Sequence, residues 1–276
     1  MLTRYDTVQL KQVVKVITES VAVEKIFLLA AQTTGCRYEN IFSSLQACRR
    51  EVTHYYLLVL IESNQQRSNE SWQDTIEHRC RVATPVTVWV LPAAGFAQWL
   101  EAGQPFAVKV YHDGLLCYDA GRVWLFAPPE TNAADMDKTL RRECMQYMKR
   151  SAGFLQGSEL CYLRREFRLA AFMLHQAAEQ AYIAINWRMT GFRPMVHNLD
   201  KLHRYALPFS SALAGVFPKN NDREEYLFRL LQRAYIDTRY TSDYMIRGAD
   251  LLTLTGRVRK LHEVAEGVCG RGLRAV

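Results

Sequence analysis

The chain has no long hydrophobic run. No apolar stretch approaches the ~18 residues that a membrane-spanning helix needs, so no helical membrane anchor is expected in these 276 residues. Residues 1–14 lack the basic patch and apolar core of a secretory leader, and a cytoplasmic location is the expectation. The seven cysteines (Cys36, Cys48, Cys80, Cys117, Cys144, Cys161 and Cys269) never stand as CxxC. An odd number without metal-site spacing leads to an expectation of reduced, buried thiols. Residues 86–90 (VTVWV), an apparent strand, contain no acid at all.

What is present is a globular composition. With 49% hydrophobic and 23% charged residues the chain is not of the disordered class, and its length suffices for two ordinary domains. The net charge of +7 is unevenly spread. Residues 1–132 hold 12 Lys/Arg against 13 Asp/Glu, a balance of −1; residues 133–276 hold 23 against 15, a balance of +8. The basic excess of the second half points either to anionic partners there, such as nucleotide or RNA, or to a solvated helical surface.

Patterning divides the chain at the same place. Residues 8–21 read as a helix, 25–31, 54–62 and 86–91 as strands, and 95–101 as a short helix stopped by Gly103-Gln104-Pro105. Residues 106–110 and 115–118 flank the turn dipeptide Asp113-Gly114, as in a hairpin. Pro128-Pro129-Glu130-Thr131-Asn132 marks a boundary, beyond which strand signals vanish. A helix over 137–153 closed by glycine is expected next. A long helix over 159–189 with Ser158 as N-cap follows, then helices from Asn198, over 222–238 and over 249–266. The pattern gives an α/β or α+β unit over 1–128 and an all-α antiparallel helical bundle over 137–276.

Three ordered motifs in the second half resemble the HEPN domain family. Phe172-Met173-Leu174-His175-Gln176-Ala177-Ala178-Glu179-Gln180-Ala181 is similar to the family's F-x-x-x-Q-A-A-E-K-A. His197-Asn198-Leu199 with Leu202 is similar to H-[DN]-L-x-x-L, and Ala234 to Tyr240 with Tyr244 to A-R-x-x-x-R-Y. The first half resembles the minimal nucleotidyltransferase domain. Its residues 25–35 (KIFLLAAQTTG) follow K-I-Y-L-F-G-S-x-A-x-G, and residues 53–60 follow S-D-x-D-L-L-V. Gly103-Gln104-Pro105-Phe106 and Asp113-Gly114 with Tyr118 follow the later G-x-P-F and D-G-x-x-x-Y.

The second resemblance implies a chemistry whose parts are missing. The Gly-Ser turn that cradles phosphates stands here as Ala30-Ala31, with Gln32, Thr33, Thr34 and Gly35 after it. The two metal-binding aspartates fall on His54 and Tyr56, neither a Mg²⁺ ligand, and the third has no counterpart in 86–90. A vestigial pocket, no resident cofactor and no Mg²⁺ are the expectation, with a bound nucleotide as the one candidate ligand. His54 is read as a hydrogen-bonded strand histidine rather than a transition-metal ligand.

The first resemblance implies homodimerisation through the helical domain and an affinity for nucleotide or RNA. Arg239 can fork onto phosphate, Tyr240 and Tyr244 can stack on a base, and Asp237 can orient the arginine. His175, Gln176 and Glu179 can face the same cleft. The same residues can instead cap and pack the helix ends. His197 and Asn198 read as a helix start with Asn198 as N-cap. Ribonucleases of the family carry arginine followed four to six residues later by histidine. Here Arg239 is followed by Tyr244, while Arg257 and His262 have the spacing but read as a solvated helix face. No catalytic or metal site is assigned, and a non-catalytic nucleotide- or RNA-binding regulatory module is the expected function. The alternatives are a metal-independent ribonuclease of toxin or defence type restrained by the first domain, and a structural protein with vestigial pockets.

Overall fold

The computed structural model describes residues 7–33, 37–41, 52–62, 67–130, 132–241 and 243–270, and the chain divides into two compact units at Asn132/Ala133. In the first unit the central strand β1 (Val23–Thr33) pairs along one edge with antiparallel β3 (Val52–Ile61). Its other edge takes β5 (Leu115–Asp119) beside Lys25–Leu28 and β2 (Arg37–Asn40) beside Ala30–Thr33. β4 (Val86–Pro92) joins β3 in parallel, giving a mixed sheet.

Alternation then sorts the side chains. Ile26, Leu28, Tyr55, Leu57, Val59, Val88 and Val90 share a core with Leu10, Val13 and Ile17 of α1 (Thr7–Thr18) and Ile76 and Cys80 of α2 (Asn69–Cys80). Phe27, on the opposite face, meets Phe96 of α3 (Ala93–Glu101) with ring centroids 6.4 Å apart. The sequence gives little sign of α2, because its buried stripe is only Gln73, Ile76 and Cys80; Ser68 caps it, accepting from Ser71 N.

Two expectations change here. Residues 106–110 are not a hairpin strand but part of helix α4 (Pro105–Asp113). Pro105 opens it, Gln104 Oε1 accepts from Ala107 N at 3.0 Å, and Phe106, Ala107 and Val110 are buried at helical spacing. No turn forms at Ala30-Ala31 either: the strand continues through Gln32 and Thr33, each residue paired on both sides. Backbone groups engaged in two ladders cannot cradle a phosphate. Thr34 and Gly35 lie outside the described residues.

Gly114 follows α4 where a side chain has no room: a Cβ would lie 2.5 Å from the Val110 carbonyl oxygen and 3.2 Å from Phe27 Cδ1. Gly114→Ala is expected to destabilise this unit by about 1–3 kcal/mol. A two-unit chain has no single unfolding midpoint, so amide exchange of β1 and β5 is the readout. Unchanged exchange there would show that the turn absorbs the methyl group.

The second unit packs α5 (Ala133–Leu163), α6 (Phe167–Thr190), α7 (Leu199–Ala206), α8 (Asp222–Tyr240) and α9 (Gly248–Gly270) into one core, with short 3₁₀ turns at Leu207–Phe209 and Ser211–Gly215. The first helix does not close at Gly153. It runs to Leu163, because an interior glycine costs only about 1 kcal/mol and the buried face continues through Ser151 and Ser158. Ser158 is therefore no N-cap; its hydroxyl donates to the Ala170 carbonyl at 2.9 Å, tying α5 to α6. The break falls at residues 164–166, where Arg165 takes φ 61°. Asn198 does cap α7, accepting from Lys201 N at 3.1 Å.

The thiol expectation also fails in part. Cys144 of α5 and Cys269 of α9 form a disulfide across 125 residues, a separation on which sequence spacing is silent. Cys80, Cys117 and Cys161 are free, and burial pushes the thiols of Cys80 and Cys117 up to about 11. Cys36 and Cys48 lie outside the described residues.

Candidate functional site

Helix α6 is the axis of the bundle, buried almost all round, and α8 packs antiparallel to it. Arg168 at the start of α6 bonds the carbonyls of Thr238 and Thr241 at the end of α8, and Gln232, further back on α8, accepts from Leu199 N at 2.8 Å. Helical spacing places Phe172, His175, Gln176 and Glu179 on one stripe of α6 and Tyr235 and Arg239 on the facing stripe of α8.

Tyr235 is the centre of the resulting cluster. Its ring stacks with His175 (centroids 5.2 Å apart, 26° between planes) and with His197 (4.4 Å, 21°). The Arg239 guanidinium carbon lies 4.2 Å from the same ring, 5.1 Å from Tyr240 and 5.6 Å from Phe172. Arg239 Nε donates to the Tyr235 carbonyl at 2.8 Å, and among the described residues it has no carboxylate partner. It is a cation held against aromatic faces with its outer donors open to solvent.

The inner wall is polar and closed. Glu179, 4% exposed, accepts from His197 Nδ1 at 3.0 Å and from Gln176 Nε2 at 3.5 Å. His175 is fully buried, and its Nε2 has no hydrogen-bond partner within normal geometry among the described residues. Burial first, then the His197 charge and more weakly the Arg239 charge, hold its pKa down to about 3, against an upward pull from a hydrogen bond to the His197 backbone that outweighs the Arg239 charge. It is therefore a neutral imidazole at ordinary pH. Hydrogen-bonding capacity and a fixed cation meet here without any metal-type cluster; among the described residues no group of His, Cys, Asp or Glu could hold a metal ion.

The structure brings together Arg239, Tyr240, His175, Gln176 and Glu179 but separates the other two candidates from them. Asp237 pairs with Arg233 at 2.5 Å rather than orienting Arg239. Tyr244 is buried, and its hydroxyl donates to the Leu230 carbonyl at 3.0 Å, so it packs the core instead of stacking on a ligand. Sequence reasoning missed Tyr235 and set His197 aside as a helix start. The signal for Tyr235 was its spacing, four residues before Arg239 on one helix face.

Arg257 and His262 are no solvated face. Arg257 pairs with Glu224, and His262 Nδ1 lies 3.0 Å from Ser151 Oγ and Nε2 3.4 Å from Glu266. Ser151, His262 and Glu266 line up in the order of a hydrolase triad, yet the buried serine donates its proton to the Ala177 carbonyl at 2.9 Å. The imidazole then has no hydroxyl proton to take, and the three serve as a clamp between α5, α6 and α9.

In the first unit His54 Nε2 lies 2.8 Å from Thr87 Oγ1, and its ring stands 4.9 Å from that of Tyr56. Tyr56 is buried opposite Ala30, and His54 sits opposite Gln32. The positions expected for metal-binding aspartates thus carry a hydrogen-bonded histidine and a packed tyrosine.

The second unit is an all-α bundle, with an arginine, two imidazoles and aromatic rings gathered along one helix pair. The model of the HEPN domain family matches residues 145–270, so this unit carries a HEPN domain. A comparison of the whole chain with curated proteins finds no match. No helix among the described residues is long and apolar enough to cross a membrane.

Proposed function

We propose that the protein is a regulatory module that binds a nucleotide or RNA phosphate in the α6–α8 groove of its HEPN domain. The observation that carries this reading is Arg239, exposed, collared by Tyr235, Tyr240 and Phe172, and free of any carboxylate partner among the described residues. HEPN domains are associated with RNA binding, ribonuclease activity and regulation, and often dimerise; a homodimer through the helical unit belongs to the proposal. The first unit is read as a degenerate nucleotidyltransferase-like domain without Mg²⁺ chemistry. Its mixed sheet supports this, as do His54, Tyr56 and the acid-free β4 where the carboxylates would stand.

The test is a binding titration of AMP, ATP, GTP and short RNA, with and without Mg²⁺, on wild type and two variants. Loss of a charge-assisted phosphate contact is worth about 1.5–3 kcal/mol, so Arg239→Ala is expected to weaken binding by about 10- to 100-fold. Tyr244→Phe is the control and should bind as wild type, since its hydroxyl is committed to Leu230. Undiminished binding by Arg239→Ala would sink the reading.

One arrangement favours the ribonuclease alternative. The hydrogen-bonded His197–Glu179 pair sits in the same groove as Arg239 and has the make-up of an acid–base group beside a phosphate clamp. Shortened RNA in the same titration, absent with His197→Gln, would move the reading from binding to cleavage.

A further inference from the structure

We infer that the ligand of this groove carries a flat base as well as a phosphate, and that its base seats on Tyr235 where the His197 ring now stacks. This rests on the reading of Arg239 as the anion site. Three groups crowd one tyrosine ring, and they differ in how they are held. His175 is buried on the central helix, and Arg239 is anchored through its Nε to the Tyr235 carbonyl. His197 alone lies outside any helix, between the left-handed Gly191 that ends α6 and the Asn198 cap of α7. Its side chain is 56% exposed, and among the described residues one hydrogen bond, to Glu179, holds it beyond the stack itself.

A half-exposed loop ring on an otherwise well-formed stacking platform occupies the place a nucleobase would take. Base–aromatic stacking tolerates any base and draws on a larger ring than imidazole. The buried His175 ring stacks on the same tyrosine, and its Nε2 makes no hydrogen bond within normal geometry among the described residues. His197 then acts as a placeholder, and ligand affinity is reduced by the fraction of time its ring holds the platform.

The experiment titrates AMP and inorganic phosphate separately against wild type, His197→Gln, His197→Phe and Arg239→Ala. His197→Gln keeps a donor for buried Glu179 but removes the ring, and is expected to bind AMP about fivefold tighter with phosphate unchanged. His197→Phe keeps a ring without the Glu179 bond and is expected to bind AMP no tighter than wild type. If His197→Gln binds AMP equally or more weakly while Arg239→Ala loses both ligands, the phosphate reading stands and the placeholder is overturned. If AMP and phosphate bind wild type equally, the base makes no stack and the inference also falls. If Arg239→Ala binds both ligands as wild type does, the underlying reading fails and the inference with it.

Discussion

Asp137→Ala is expected to destabilise the helical unit by about 3–5 kcal/mol, the cost of removing one partner of a buried ion pair. Its partner Arg188 has a side chain only 1% exposed, 2.8 Å from the Asp137 carboxylate, with Nε 3.4 Å from the Cys269 carbonyl. Removing the carboxylate takes an anion away from a guanidinium held inside the bundle. Urea unfolding followed through amide exchange of α6 measures the loss. The double change Asp137→Leu with Arg188→Met is expected to recover most of it, because well-packed apolar groups often replace a buried ion pair without loss. A loss below about 1 kcal/mol for Asp137→Ala would show that water reaches Arg188.

Breaking the Cys144–Cys269 disulfide, by reduction or by Cys144→Ala with Cys269→Ala, is expected to cost about 2–5 kcal/mol. The bond closes a span of 125 residues, from α5 to the end of α9, and so restricts the unfolded helical unit over most of its length. Peptide mapping without reductant should recover the two cysteines in one linked species, whereas free alkylation of both would contradict the bond. Because Arg188 also holds the Cys269 carbonyl, the disulfide and the Asp137 change secure the same helix end. Their effects should combine non-additively.

The helical domain was legible because its motifs coincide with its packing. Ala171, Leu174, Ala178, Ala181 and Ile185 repeat at helical steps and are the buried spine of α6. The Asn198 start of α7 was legible from a side chain that can do one thing well before a helix. Ser158 misled for the same reason: a serine before an apolar run reads as a cap, but its position against Ala170 makes it a bond between two helices. Residues 106–110 misled because five apolar-rich residues fit a strand as well as a helix turn.

In the groove the sequence named Arg239, His175, Gln176 and Glu179, since each sits in a recognisable helical motif. It could not show that Asp237 answers to Arg233, which depends on which side of α8 faces the core, or that Tyr244, beyond the end of α8, turns inward onto Leu230. Nor could it join His197, 18 residues beyond Glu179, to that carboxylate.

By itself the sequence determined the two-part division, the strand and helix classes of most segments and the helical domain's family. These follow from local pattern, composition and residue chemistry, which act over a few residues at a time. Only the tertiary structure decided the rest. It stacked His175 and His197 on Tyr235, left Arg239 without a carboxylate partner among the described residues, buried Arg188 against Asp137 and joined Cys144 to Cys269. Each of these depends on side chains far apart in sequence meeting at a few ångströms, and helix packing sets those meetings rather than any local signal.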